Sequence, residues 1–177
     1  LNSSENIQVG DFMGMNDLRS AMPEYARDLR LNLGSVMSAS SLEPVMAWGS
    51  ALTAALVSKN AQVIQHIAED AQAHLDEIQM KAAKSAAAMM SMTNVWYKFT
   101  DLIQDDEVKK QPPKLRMNAM LTHGGVDHSL FEAWSLSASA VNACGVCVNA
   151  HASQLNKLGI DAQQVADIAR IAAVVKA

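Results

Sequence analysis

Apolar residues recur along the chain at three- and four-residue intervals rather than in alternation, and glycine (8) and proline (4) are sparse. This is the pattern of amphipathic helices. The first predicted helix runs from about Asp17 to Leu33, with Leu18, Met22, Tyr25, Leu29 and Leu33 on one stripe. Pro23 opens its main segment and Gly34 ends it. A second opens after Ser41, a predicted N-cap with Pro44 in the first turn, and reaches about Lys59. Asn60 caps a third, which carries Val63, Ile64, Ile67, Ala71 and Leu75. The fourth spans about Ile78 to Leu102 and holds the run KAAKSAAAMMSM, then Val95, Trp96 and Phe99. Small residues at that density let helices approach closely, and methionines fill irregular gaps between them.

The stretch Gln104 to Lys114 is charged and ends in Pro112-Pro113. It reads as an exposed linker joining two halves, about 15–103 and 115–177, of one domain. A short helix is predicted over Leu115 to Leu121, stopped by Gly124-Gly125. Asp127 caps the next, about His128 to Asn142. Another follows from about Cys144 to Leu158, with Gly159 just past its end, and Asp161 caps the last. No strand pattern appears, so the expected fold is all-α. Ala47-Trp48 followed by Ala54 is echoed by Ala133-Trp134 followed by Ala140, as a duplicated helical hairpin would produce.

Composition narrows the function. The chain has 177 residues, 50% hydrophobic and 18% charged, with 29 alanines and 11 methionines. A net charge of −4 argues against general binding to nucleic acid or to an anionic membrane. No apolar run approaches the roughly 18–20 residues of a membrane span. Two cysteines are too few for a disulfide-built secreted scaffold. Residues 1–14 lack the pattern of a secretory signal and read as an appended or flexible extension before a helix start at Met15. The expected compartment is the reducing cytosol. Cysteines three apart there point to redox or metal chemistry.

The segment Cys144-Gly-Val-Cys147-Val-Asn-Ala-His151 sits at a predicted helix start. On a helix, positions three and four apart differ by about 60° and 40° in direction, so Cys144, Cys147 and His151 share a face. Unpaired N–H groups at the helix start favour thiolate, above all at Cys144. His151 stands one turn beyond Cys147, able to take its proton. Glu132 lies 12 residues before Cys144 on the preceding helix, and a short turn near Asn142-Ala143 would fold its carboxylate back over the cysteines. Haem attachment would need a histidine directly after the second cysteine, where Val148 stands. Thioredoxin chemistry in its usual scaffold would need a preceding strand. Two readings stay beside dithiol redox chemistry: structural cysteines, and zinc held by Cys144, Cys147 and His151 with Glu132, His128 or His123. Ligands crowded onto one helical turn suit zinc poorly, and dithiol chemistry is favoured.

The stretch FEAWSLSASAVNACGVCVNAHASQLNKLGI strongly resembles the alkyl hydroperoxidase D (AhpD) family of the carboxymuconolactone decarboxylase-like superfamily. The family hallmark is a Glu, then a Cys-x-x-Cys 12 residues on, then a His four residues after the second Cys. Glu132, Cys144, Cys147 and His151 meet it. AMPEYARDLRLNL, AAAMMSMTNVWYKF and KLRMNAM extend the resemblance over nearly everything from Met15 onward.

The resemblance implies an all-helical homotrimer with two related halves, acting as a lipoamide-dependent peroxidase and disulfide reductase. Cys147 would be the peroxidatic thiol and Cys144 the resolving one, closing an intramolecular disulfide. Glu132 and His151 would relay protons. No bound cofactor is implied. Dihydrolipoamide, borne by a dihydrolipoamide acyltransferase and recharged by dihydrolipoamide dehydrogenase, would be the electron donor, and an AhpC-like peroxiredoxin a partner. One position departs: where well-known members carry a histidine just before the second cysteine, this chain has Val146. The alternatives are a carboxymuconolactone decarboxylase-like enzyme acting on a lactone acid, and a zinc-binding or structural helical protein. Of the other residues, His66 and His74 read as surface or interface polar groups on the third helix. Trp48, Trp96 and Trp134 read as core or subunit-contact aromatics, His123 as part of a turn, and His128 as a group able to orient Glu132. Lys109, Lys110 and Lys114 read as solvated.

Overall fold

The computed structural model describes residues 14–177, so the proposed extension lies almost wholly outside the described residues. Among them are α-helices and short 3-10 turns, with no strand, and the all-α expectation holds. The helices are α1 (Met15–Ala21), α2 (Arg27–Ser35), α3 (Pro44–Ser58), α4 (Ala61–Ala71), α5 (Glu77–Leu102), α6 (Asp106–Lys109), α7 (Asn118–Thr122), α8 (His128–Val141), α9 (Gly145–Lys157) and α10 (Ala162–Lys176). No described helix is long and apolar enough to cross a membrane.

The centre of the molecule is the pair α3 and α8, which pack on each other and on α5 and α10. Both bury residues around their whole circumference, as helices without a solvent face do. Their contact depends on Gly49, where a Cβ would fall 2.1 Å from the Trp134 indole. Trp134 is fully buried and its Nε1–H donates to the Met46 carbonyl at 3.3 Å. Truncating such a side chain to alanine costs about 3–5 kcal/mol. The Ser137 hydroxyl donates to the Ser50 carbonyl at 2.7 Å, satisfying this buried polar group on helix backbone.

The echo noted in the sequence has a structural counterpart. The succession α3, α4, α5 is matched by α8, α9, α10. Lys59 and Ala143, which end the first helix of each set, both adopt left-handed backbone, with φ of 61° and 52°. Asp76 and Asp161, which open the third, each form a capping box with a glutamine three residues on.

Asn60, Asp127 and Asp161 cap helices as expected, each accepting from first-turn N–H groups. Other boundaries differ. The first predicted helix is two: Met22 is extended because the Pro23 ring excludes helical backbone before it, and residues 24–26 form a 3-10 turn. That break takes Tyr25 off the apolar stripe, leaving it 94% exposed. Glu43, not Ser41, is the N-cap of α3, with Pro44 at the first helical position. The charged linker contains the one-turn helix α6, capped by Asp105. Val95 and Phe99, counted as apolar helix positions, point outward from α5 at 68% and 43% exposure. His66 is buried, whereas His74 lies beyond the end of α4 and stacks on Trp48 at 4.8 Å.

Ser41 has another task. Its N–H and hydroxyl donate to Asp167 Oδ2 at 2.8 and 2.7 Å, tying the segment before α3 to α10. Burial raises the Asp167 carboxyl, but these bonds, with those from Arg170 and Gln163, outweigh it and bring it down to about 2. A carboxyl depressed in the folded state contributes stability above its unfolded value near 3.8 and loses it as pH falls towards 2. Asp167→Asn should lower unfolding free energy by about 1–3 kcal/mol at pH 7. In denaturant titrations the gap to wild type should close as pH drops from 4 to 2.

Candidate active site

The two cysteines are set by the corner between α8 and α9. Asn142 is the C-cap of α8, and Ala143 follows with left-handed backbone. The Ala143 N–H donates to the Ala140 carbonyl at 3.0 Å, and the Cys144 N–H to the Ser139 carbonyl at 3.1 Å. These are the paired bonds of a Schellman motif, with alanine where glycine is usual. Cys144 therefore closes one helix and serves as N-cap of the next, its carbonyl accepting from the Val148 N–H at 2.9 Å. It stands at the cap rather than inside the helix as predicted, while Cys147 lies in the first turn.

The corner is pinned to α5. Asn142 Nδ2 donates to Asn94 Oδ1 at 2.9 Å, Asn94 Nδ2 donates to Ser139 Oγ at 3.1 Å, and Lys98 Nζ donates to the Asn142 carbonyl at 3.1 Å. The sequence reading put the turn at Asn142-Ala143 but missed Asn94 and Lys98. A buried asparagine inside the apolar run of α5 was the available signal.

Cys144 and Cys147 are joined as a disulfide, with Cα atoms 5.3 Å apart. Cys144 is fully buried. Cys147, slightly exposed, forms part of the wall of a cavity of about 650 Å³. That wall is mainly apolar, with Met90, Met117, Met120, Leu121 and Val146, and His151 also faces it. Val146, at the departure from the family pattern, thus adds apolar surface beside the outer cysteine.

Glu132 is buried on α8, and each carboxylate oxygen meets a different histidine. His151 Nδ1 is 2.7 Å from Oε2, and His128 Nε2 is 3.3 Å from Oε1. Burial raises the Glu132 carboxyl, but the hydrogen bond and charge of His151, followed by those of His128, hold it below the ordinary value. An ionised carboxylate makes Nδ1 the donor, which leaves His151 Nε2 as the nitrogen that can take or give a proton. Nε2 stands 3.2 Å from Met90 Sδ, at the cavity wall. Met90 too was passed over by the sequence reading.

Of the four predicted residues, Glu132 pairs with His151 and Cys144 with Cys147, and Cys147 and His151 share the cavity wall. His128 orients Glu132, and His123 stacks on His128 with ring centroids 4.0 Å apart. Among the described residues no group of three or more His, Cys, Asp or Glu side chains is arranged to hold a metal ion. Trp134 is core, Trp48 lies half-buried against His74, and Trp96 lies half-buried against Phe99.

The carboxymuconolactone decarboxylase family model matches residues 106–177. Alkyl hydroperoxide reductase AhpD of Rhodospirillum centenum is 44% identical over 165 residues, covering 93% of this chain and 88% of the relative. That of Streptomyces coelicolor is 42% identical over 93% of this chain and 92% of the relative. The chain belongs to the AhpD family. The likeness reaches beyond the residues the family model matches, since the AhpD of Coxiella burnetii also aligns over 88% of this chain at 41% identity.

Left-handed backbone at Ala143 is where this AhpD family member departs from the residue preference of its own turn. Ala143→Gly should raise stability by roughly 0.5–1 kcal/mol in urea titrations, because glycine adopts that backbone without a Cβ penalty.

Proposed function

We propose that this protein is a dithiol peroxidase and disulfide reductase that reduces alkyl hydroperoxides. The observation that carries the reading is a bonded Cys-x-x-Cys whose outer sulfur faces an apolar cavity beside a carboxylate-oriented histidine. The names of its relatives support peroxide reduction.

In the reduced protein Cys147 is the attacking thiol, because it faces the cavity and Cys144 does not. Its thiolate attacks the outer oxygen of the hydroperoxide and the O–O bond breaks. His151 gives a proton to the leaving alkoxide, yielding alcohol and a Cys147 sulfenic acid. The Cys144 thiol attacks that sulfur, water leaves and the disulfide closes. Dihydrolipoamide then attacks the reachable Cys147 sulfur. Cys144 leaves as a thiolate at a helix N-cap, where two orphan N–H groups can receive it. The second dihydrolipoamide thiol completes the exchange, releasing lipoamide and both protein thiols.

A lipoyl-bearing acyltransferase with its dehydrogenase would supply the dithiol in the cytoplasm, and an AhpC-like peroxiredoxin disulfide would be a second substrate. No bound cofactor is needed. The chain would work as a homotrimer, in which exposed apolar side chains such as Val95, Phe99 and Leu102 are covered by neighbouring copies. A lactone-acid decarboxylase would call for cations around its substrate carboxylates, and the cavity wall carries no Lys or Arg.

With dihydrolipoamide as sole electron source, wild type should consume an alkyl hydroperoxide faster than hydrogen peroxide. Cys147→Ser should fall to background, and Glu132→Gln should lose about 10²-fold in kcat. Equal turnover in wild type and Cys147→Ser would contradict the peroxidase reading.

A further inference from the structure

The buried Glu132 is flanked by two histidines that differ in exposure. His151 lies between the carboxylate and the cavity, with its side chain 9% exposed. His128, on the other carboxylate oxygen, is 32% exposed and does not line the cavity. Glu132 has only two oxygens, and each is engaged with one of these rings.

We propose that the two histidines compete for the one carboxylate, and that His128, the solvent-facing member, sets how tightly His151 holds the proton it delivers to the leaving oxygen. A protonated His128 draws on the charge of Glu132 and repels a second cation across it. Both effects loosen the proton on His151. When His128 is neutral, the full attraction of the buried carboxylate falls on His151.

The titratable groups facing His128 are Asp127 at the N-cap of α8, Glu132 one turn on and His123, stacked at 4.0 Å. From α9 only His151 reaches Glu132. From α5, Ala82 packs against the turn at Gly124 and Met90 meets His151. His128 is thus a positioning residue: it touches neither cavity nor sulfur and acts through Glu132. With Val146 beside Cys147, His128 is a second histidine on Glu132, outside the cavity wall.

This inference rests on the peroxidase reading, but its test does not require turnover. With five histidines in the chain, the His151 ring can be followed by NMR through a pH titration of the disulfide protein. His128→Gln keeps a donor for Glu132 without the charge, and the His151 midpoint should rise by about one pH unit. His128→Arg carries a permanent charge and should leave the midpoint at or below that of wild type. In the turnover assay His128→Gln should lower kcat by about three- to tenfold, with the arginine variant restoring much of it and KM for dihydrolipoamide unchanged. An unchanged His151 midpoint in both variants overturns the competition. So does an equal shift in both, which would mark a loss of packing and not of charge. Absence of peroxide turnover in wild type counts against the function reading alone, since the titration still reports on His128.

Discussion

The short contact between Glu132 and His151 is the constraint on which the site depends. It joins α8 to α9 across 2.7 Å in a place closed to water, where an unpaired carboxylate would cost several kcal/mol. That bond fixes the rotation of α9 about its axis and so directs Cys147 to the cavity wall. The Schellman corner fixes the other end of the same geometry, holding Cys144 at the junction of two helices. One cysteine is thereby buried at a helix cap while the other, a single turn away, faces the space that substrate would fill.

Behind the site stands a core built for close approach. Gly49 admits the Trp134 indole, and the hydroxyls of Ser50 and Ser137 return to helix carbonyls. The paired helix sets, with matching left-handed residues and matching capping boxes, show how one local design serves twice. Only the second set carries the cysteine pair. Its corner is tied to α5 by Asn94, Asn142 and Lys98, so the first set acts as scaffold for the second.

Much of this architecture was legible in the sequence, because helix caps are local chemistry. Asn60, Asp127 and Asp161 needed only the residues beside them to be read as N-caps. The glutamate, cysteines and histidine shared the spacing of one helix pair and could be placed near one another for the same reason. What escaped were features decided across long separations. Ser41 was drawn away from the start of α3 by Asp167, 126 residues distant. Met90, 61 residues from His151, reads in sequence as one more methionine of a packed helix. Tyr25 left its stripe because one proline changed the helical register, and His66 turned inward though nothing beside it in the sequence required that.

Burial distinguishes the two sulfurs of one bond, and different work for each would follow from it. Treating reduced Cys144→Ser with one equivalent of an alkyl hydroperoxide, trapping any sulfenic acid with a dimedone-type nucleophile and mapping the adduct by peptide mass tests this directly. The account predicts a single adduct on Cys147. In the reciprocal Cys147→Ser protein Cys144 should stay unlabelled. An adduct on Cys144 there, or none on Cys147 in the first protein, would contradict it.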